Sequence, residues 1–196
     1  MYCFLVSGIP ASGKTKIAQI LSNEFSIPVI SKDSIKEIMF DDIGFNNRNE
    51  KVNLGIASMN IMYYLSKQLM KSNQSFVLEN NFEQVSIKGL ETILNEYHYE
   101  TIHIHVTGDP RIIYQRFVNR DKSEERHLGH VVNTKYPVDE LPNIIHAPTY
   151  EEYLLSIESR GMKEFEFGKI NIELDNTYFD EEKINIVIQK IKRIIR

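Results

Sequence analysis

Two rhythms of apolar residues alternate along this chain. Short apolar runs suited to buried strands occur at Tyr2–Val6, Ile27–Ile30 (broken by Pro28), Phe76–Leu78, Thr101–Val106 and Ile170–Leu174. Between them apolar positions recur at helical spacing. These are Ile17, Ala18, Ile20 and Leu21; Ile35, Ile38 and Met39; Leu54 through Leu69; Ile87, Leu90, Ile93 and Leu94; Ile112 to Val118; Tyr150 to Ser159; and Ile184, Val187, Ile188, Ile191 and Ile195. Such alternation predicts an α/β fold, a mainly parallel sheet with helices on both faces and right-handed crossovers. Ligands of these sheets sit at the carboxyl ends of the strands. Ser7-Gly8, Asp33 and Glu79 fall at or just past predicted strand ends and are expected to face one crevice.

Two stretches lack periodicity. Residues 41–50, rich in Asp, Asn and Gly, read as loop, and Asp121 to Lys135 reads as a mobile, charged surface flap followed by Pro137, Pro142 and Pro148. No repeat or linker divides the 196 residues, 42% of them hydrophobic, so one domain spanning 1–196 is expected. A net charge of −4 excludes the electrostatic footprint of a protein that grips long nucleic acid. Cys3 is the single cysteine, which rules out an internal disulfide and suits a reducing compartment. The N-terminus has no leader-like pattern, and no apolar stretch approaches the roughly 18 residues of a membrane span. The expectation is a cytoplasmic protein with no membrane partner.

Residues 8–15, Gly8-Ile9-Pro10-Ala11-Ser12-Gly13-Lys14-Thr15, complete the pattern G-x-x-x-x-G-K-[ST] directly after the first strand. Glycines let backbone N–H groups wrap a polyphosphate, and the following helix adds the positive end of its dipole. Lys14 is placed to reach the β and γ phosphates of ATP, the expected co-substrate, and Thr15 to offer its hydroxyl to Mg²⁺. Moving a phosphoryl group to an alcohol needs a group that takes the acceptor proton, a metal shell, and cations around the γ phosphate. Asp33 is the candidate base, with helix N-capping as its alternative role. Glu79 is the candidate magnesium carboxylate, or else a polar strand terminus, and Asn80 can hydrogen-bond an acceptor. Arg116 and Arg120, four apart, share a helix face and join Arg126 of the flap as candidate phosphate ligands. His103 and His105 alternate on one strand face, and His127 and His130 lie in the flap. Neither pair has the further ligands zinc requires, so both read as hydrogen-bonded structural histidines.

With these residues in view, the chain resembles the P-loop kinases of the AAA type, the group that includes polynucleotide kinase, zeta toxin and chloramphenicol phosphotransferase. Residues 8–15 match the group's nucleotide loop, and Val29-Ile30-Ser31-Lys32-Asp33 resembles its second-strand motif, whose aspartate activates the acceptor. Arg126-His127-Leu128-Gly129-His130 and Leu174-Asp175-Asn176-Thr177 are similar to its lid and adenine-side segments. The resemblance implies a three-layer α/β/α sandwich with a five-stranded sheet in the order 2-3-1-4-5. A lid is expected at about 121–135 and an acceptor-binding insertion at about 40–72. Lys14, Asp33, Arg116 and Arg120 become the expected catalytic residues, Thr15 and Glu79 the metal ligands, and residues 8–15, Arg126, Asp175 and Thr177 the nucleotide contacts. Lys36 stands where polynucleotide kinase has an acceptor-binding arginine, and Lys36, Arg48 and Asn80 are the expected acceptor contacts. Asp41 to Leu65 matches no pattern of the group.

The function read from the sequence is transfer of the γ-phosphoryl of Mg-ATP to a hydroxyl of a small molecule, with Asp33 as general base. The alternatives are phosphorylation of a 5′-hydroxyl nucleic-acid end, which calls for a basic trough, and a nucleotide-gated regulatory ATPase. The latter has no use for a base separate from the metal carboxylate.

Overall fold

The β-branched and aromatic runs become strands, and the periodic segments become the helices that cover them. In a computed structural model, which describes residues 1–124, 126–138 and 147–195, β1 (Tyr2–Ser7) leads through the glycine-rich loop into α1 (Lys14–Phe25). There follow β2 (Val29–Ser31), α2 (Lys32–Asp42), α3 (Arg48–Lys71), β3 (Phe76–Glu79), α4 (Ile87–Tyr97), β4 (Glu100–Thr107) and α5 (Pro110–Asp121). The chain closes with α6 (Leu128–Val131), α7 (Tyr150–Ser159), β5 (Ile170–Asp175) and α8 (Glu181–Ile194). The sheet has the order β2-β3-β1-β4-β5 and every pairing is parallel. The expected α/β/α sandwich is therefore the fold.

Alternation along β1 sorts its side chains between two cores. Phe4 and Val6 pack with Ile17 and Leu21 of α1 and Ile188 and Ile191 of α8, whereas Cys3 and Leu5 pack with Met62 of α3 and Leu90 and Leu94 of α4. A strand buried on both faces reads as a continuous apolar run, which is why Tyr2–Val6 shows no polar alternation. Register then aligns the chemistry. Val6 and Ser31 both pair with Glu79, and Ser7 pairs with His105, so the carboxyl ends of β2, β3, β1 and β4 form one edge. Connections run to opposite sides of the β3–β1 boundary, the switch point at which such sheets open a crevice.

The two aperiodic stretches are more ordered than their composition suggests. Of residues 41–50, Asp41 and Asp42 complete α2 and Arg48 starts α3, where Asn47 caps by accepting from Glu50 N at 3.0 Å. The flap carries α6 and is packed onto α2 instead of standing free. Gly129 lies against the fully buried Phe40, His130 meets Glu37 at 3.0 Å, and His127 meets Asp41 at 3.0 Å. Lys51 of α3 donates from beneath to the carbonyls of His130 (2.7 Å) and Val132 (2.5 Å) and to Asn133 Oδ1 (3.0 Å). One turn of helix is too short to show a period, so the segment reads as loop. Position 125 of the expected lid, and Pro142, lie outside the described residues. Among the described residues no helix is long and apolar enough to cross a membrane.

Candidate active site

The glycine-rich loop is clamped from three sides. Gly8 (φ 143°) and Gly13 (φ 96°) hold conformations that side chains rarely adopt, and a Cβ would strike the Val106 carbonyl at the first and the Asn176 amide at the second. Asn176 Nδ2 donates to the Ser12 carbonyl at 2.7 Å, and Tyr153 of α7 donates its hydroxyl to the Pro10 carbonyl at 2.8 Å. The loop has room for backbone to approach a ligand and is braced against collapse. Ser12 Oγ is buried without a hydrogen-bond partner among the described residues, a polar atom that a phosphate oxygen would satisfy. Lys14 is buried and donates to the Ile9 carbonyl at 2.9 Å. Burial pushes its pKa down to about 8, against the attraction of Glu79 and Asp33.

Glu79 ends β3, 5% exposed, accepts from Ser31 Oγ at 2.6 Å and lies beside the Thr15 hydroxyl. Burial raises its pKa, and repulsion from Asp33 adds to this; Lys14, Ser31 and Thr15 oppose. A carboxylate kept from water beside a hydroxyl suits a divalent cation that shares its remaining shell with phosphate and water. Among the described residues no group of three or more His, Cys, Asp or Glu side chains is disposed to hold a metal. The Thr15 hydroxyl and the Glu79 carboxylate are oxygen donors of the type that could hold magnesium together with phosphate and water.

Asp33 lies in the first turn of α2. The cap of that helix is Ser31, whose Oγ accepts from Ser34 N at 3.5 Å, so Asp33 is free of the capping role. It is open to solvent at the floor of the concavity. Crowding by the protein atoms of the crevice walls raises its carboxyl pKa, but the positive charge available on His130, Lys32, Arg126 and Lys14 outweighs this and holds it below the usual carboxylate range. Around it is a crevice of about 440 Å³ that gathers six cations, Lys14, Lys32, Lys36, Arg120, Arg126 and Arg160, against the three carboxylates Asp33, Glu37 and Glu79. That excess of positive charge suits a polyphosphate.

The arginine pair divides. Arg120 faces the crevice, where Asp121 holds it at 3.5 Å and Arg126 at 3.6 Å. Arg116 turns the other way and donates to the carbonyls of Asn176 (2.9 Å) and Thr177, so the shared helix face does not bring the two guanidinium groups together. Asp175 accepts from Thr177 N at 2.8 Å, and Thr177 Oγ1 accepts from Asp109 N at 2.8 Å. These two residues shape the turn after β5, while Asn176 between them touches the nucleotide loop. Asn176 lies within Leu174-Asp175-Asn176-Thr177, but neither its residue type nor its spacing signals this contact. Arg160, past the end of α7, carried no motif and no sequence signal.

Arg48 and Asn80 line a second cavity of about 550 Å³, which shares Lys32, Lys36 and Arg160 with the crevice. The histidines of β4 lie behind the loop. Ser7 Oγ joins His103 Nε2 and His105 Nδ1, each at 2.7 Å, and His103 Nδ1 meets Asn171 Oδ1 at 2.7 Å. The Asn171 amide is oriented by its donation to the Gly168 carbonyl at 3.2 Å, so its Oδ1 accepts and His103 Nδ1 is the donor. Burial lowers its pKa to about 4.

The profile of an AAA domain matches residues 5–135. The chain belongs to this AAA-domain family. No curated protein matches it in sequence. Among solved structures it is similar to a presumed kinase from Chloroflexus aurantiacus, with TM-score 0.79 and 23% identity over 98% of this chain and 97% of that one. A gluconokinase from Sinorhizobium meliloti (TM-score 0.59, 10% identity, 98% and 92% covered) and a shikimate kinase from Bacteroides thetaiotaomicron (0.54, 13%, 100% and 98%) share the same fold. The kinship with P-loop kinases of the AAA type, read from residues 8–15 and their surroundings, holds at the level of fold.

Proposed function

We propose that the protein is an ATP-dependent phosphotransferase that moves the γ-phosphoryl of Mg-ATP to a hydroxyl of a small molecule. The observation that carries this reading is the position of Asp33. It is a carboxylate released from capping, in one crevice with Lys14, Thr15 and Glu79, beside a second cavity large enough for an acceptor. The AAA-domain family and the kinases named among the structural neighbours support it.

In this reading residues 8–15 wrap the phosphates and Lys14 balances their charge. Magnesium, held by Thr15 and Glu79, supplies further charge neutralisation as the phosphoryl moves. Asp33 accepts a hydrogen bond from the acceptor hydroxyl and then its proton, as the acceptor oxygen bonds to phosphorus. The bond from phosphorus to the bridging oxygen breaks, and ADP leaves with that electron pair. A carboxylate of lowered pKa suits this role, because a loose transition state asks for orientation first and proton removal late. Arg120 and Arg126 face the transferring group, and residues 121–135 serve as the lid that excludes water. Residues 40–72 provide the acceptor side with Arg48, joined by Lys36 and Asn80. A base distinct from the metal carboxylate favours transfer over a nucleotide-gated switch.

Asp33→Asn tests the proposal. Affinity for Mg-ATP is expected to stay within about threefold while phosphoryl transfer, followed as ADP release over a panel of alcohols, falls by about a hundredfold or more. Undiminished turnover would return Asp33 to a structural role.

A further inference from the structure

We propose that the acceptor carries an anionic oxygen group, a phosphate ester or a carboxylate, held in the second cavity while its hydroxyl faces Asp33. The inference rests on the phosphotransfer reading and names the substrate class of that same site. Four cations, Lys32, Lys36, Arg48 and Arg160, line the cavity against a single carboxylate, Glu83, which is already paired with Arg160. In a chain of net charge −4 this concentration of positive charge is local. Like charges around one cavity raise each other's energy unless an anion joins them. Lys36 registers the strain: burial first, then repulsion from Lys32, with Arg48 and Arg160 adding, lowers its pKa to about 8 in spite of Asp33.

Two helix glycines border this space and leave room for the side chains of Lys36 and Tyr63. Gly55 lies in the middle of α3, and a Cβ there would stand 3.3 Å from Lys36 Nζ. Gly89 lies in α4, and a Cβ there would stand 2.6 Å from the Tyr63 ring. An interior glycine such as Gly55 costs a helix about 1 kcal/mol relative to alanine, and Gly89, in the first turn of α4, lines the same cavity. One and two turns along α3 from Arg48, Val52 and Ile56 are exposed at 43% and 57% and offer apolar surface to a carbon skeleton. Because Lys32, Lys36 and Arg160 belong to both linings, a molecule anchored near Arg48 by its anion extends toward Asp33.

The test fills the nucleotide loop first, so that no anion binds there. Protein saturated with Mg-ADP is titrated calorimetrically with sorbitol, gluconate and sorbitol 6-phosphate, one skeleton bearing no charge, a carboxylate or a phosphate. At least one anion is expected to bind about tenfold or more tightly than sorbitol, more weakly as salt is raised, and the tighter of the two identifies the group. Arg48→Gln is expected to lower that affinity about tenfold and leave Mg-ADP affinity unchanged. Gly55→Ala is expected to lower it several-fold while the melting temperature rises. Equal binding of sorbitol, no anion binding with Mg-ADP in place, or indifference to Arg48→Gln each overturns the inference and leaves the phosphotransfer reading standing. Failure of Mg-ADP itself to bind removes both.

Discussion

Gly129→Ala separates docking of the flap from stability of the fold. In a solvent-facing helix the change adds about 1 kcal/mol of stability. Here the new methyl carbon would stand 2.6 Å from Phe40 Cγ and 3.0 Å from Phe40 Cβ. Carbon atoms pack at about 3.5–4.0 Å, so ring and helix must part by roughly 1 Å. Phe40 cannot yield, since it is fully buried among Phe45, Leu54 and Val132. Overpacking of this kind costs about 1–3 kcal/mol. The expected result is that the flap lifts from α2, taking the His130–Glu37 and His127–Asp41 contacts with it, while the sheet is untouched. Hydrogen exchange reads this directly. The amides of His130 and Val132, bonded to the carbonyls of His127 and Leu128, should exchange about 5- to 150-fold faster. Amides of β1, β3 and β4 should keep their wild-type rates. Arg126 and His130 line the crevice, so ATP turnover should fall with flap protection, by about tenfold or more. Unchanged exchange at residues 127–132 would refute the reasoning, and so would uniform acceleration across the sheet.

Two further predictions concern pH. With Lys14 lowered to about 8 by burial, the free protein holds an amine there above that pH, whereas bound phosphate favours the ammonium. Mg-ATP binding at pH 9 should therefore take up a proton, and affinity should fall by up to about tenfold per pH unit above 8. Calorimetry in buffers of different ionisation heat measures the uptake, and a flat affinity from pH 7 to 9.5 would contradict it. His103 is held neutral, its pKa lowered to about 4 from the ordinary 6.5, so its contribution is complete above pH 6.5 and is lost as pH falls toward 4. About 3 kcal/mol of stability at most is linked to that window. Denaturant unfolding of wild type and His103→Gln should differ in pH dependence between pH 6.5 and 4, and parallel curves would remove His103 from the acid response.

The nucleotide loop was legible from sequence because its function is local. Two glycines, a lysine and a hydroxyl at fixed spacing after a strand suffice to form it, and few other uses need that spacing. The strands were legible for a similar reason, since burial on both faces demands unbroken apolar runs such as Tyr2–Val6 and Phe76–Leu78 while half-buried β5 alternates, and strand ends then located Asp33 and Glu79. The direction of Arg116 lay outside that reach. Helical spacing states that Arg116 and Arg120 share a face, but the carbonyls of Asn176 and Thr177, some 60 positions away, decide where one guanidinium turns. The flap is a similar case, because its anchor is a lysine on α3 reaching carbonyls about 80 positions distant. Arg160 reaches the crevice through long-range packing, with α7 held against Ile9 and Pro10 of the loop and Glu83 pairing its guanidinium.

Amino-acid order alone thus determined the secondary elements, the phosphate cradle and the two carboxylates at neighbouring strand ends, all of which follow from residue type and near-neighbour spacing. Tertiary packing decided which cations share a cavity, which arginine faces the crevice and how the flap is held. Those outcomes depend on side chains that meet across long stretches of chain, where distance in sequence carries no information about distance in space.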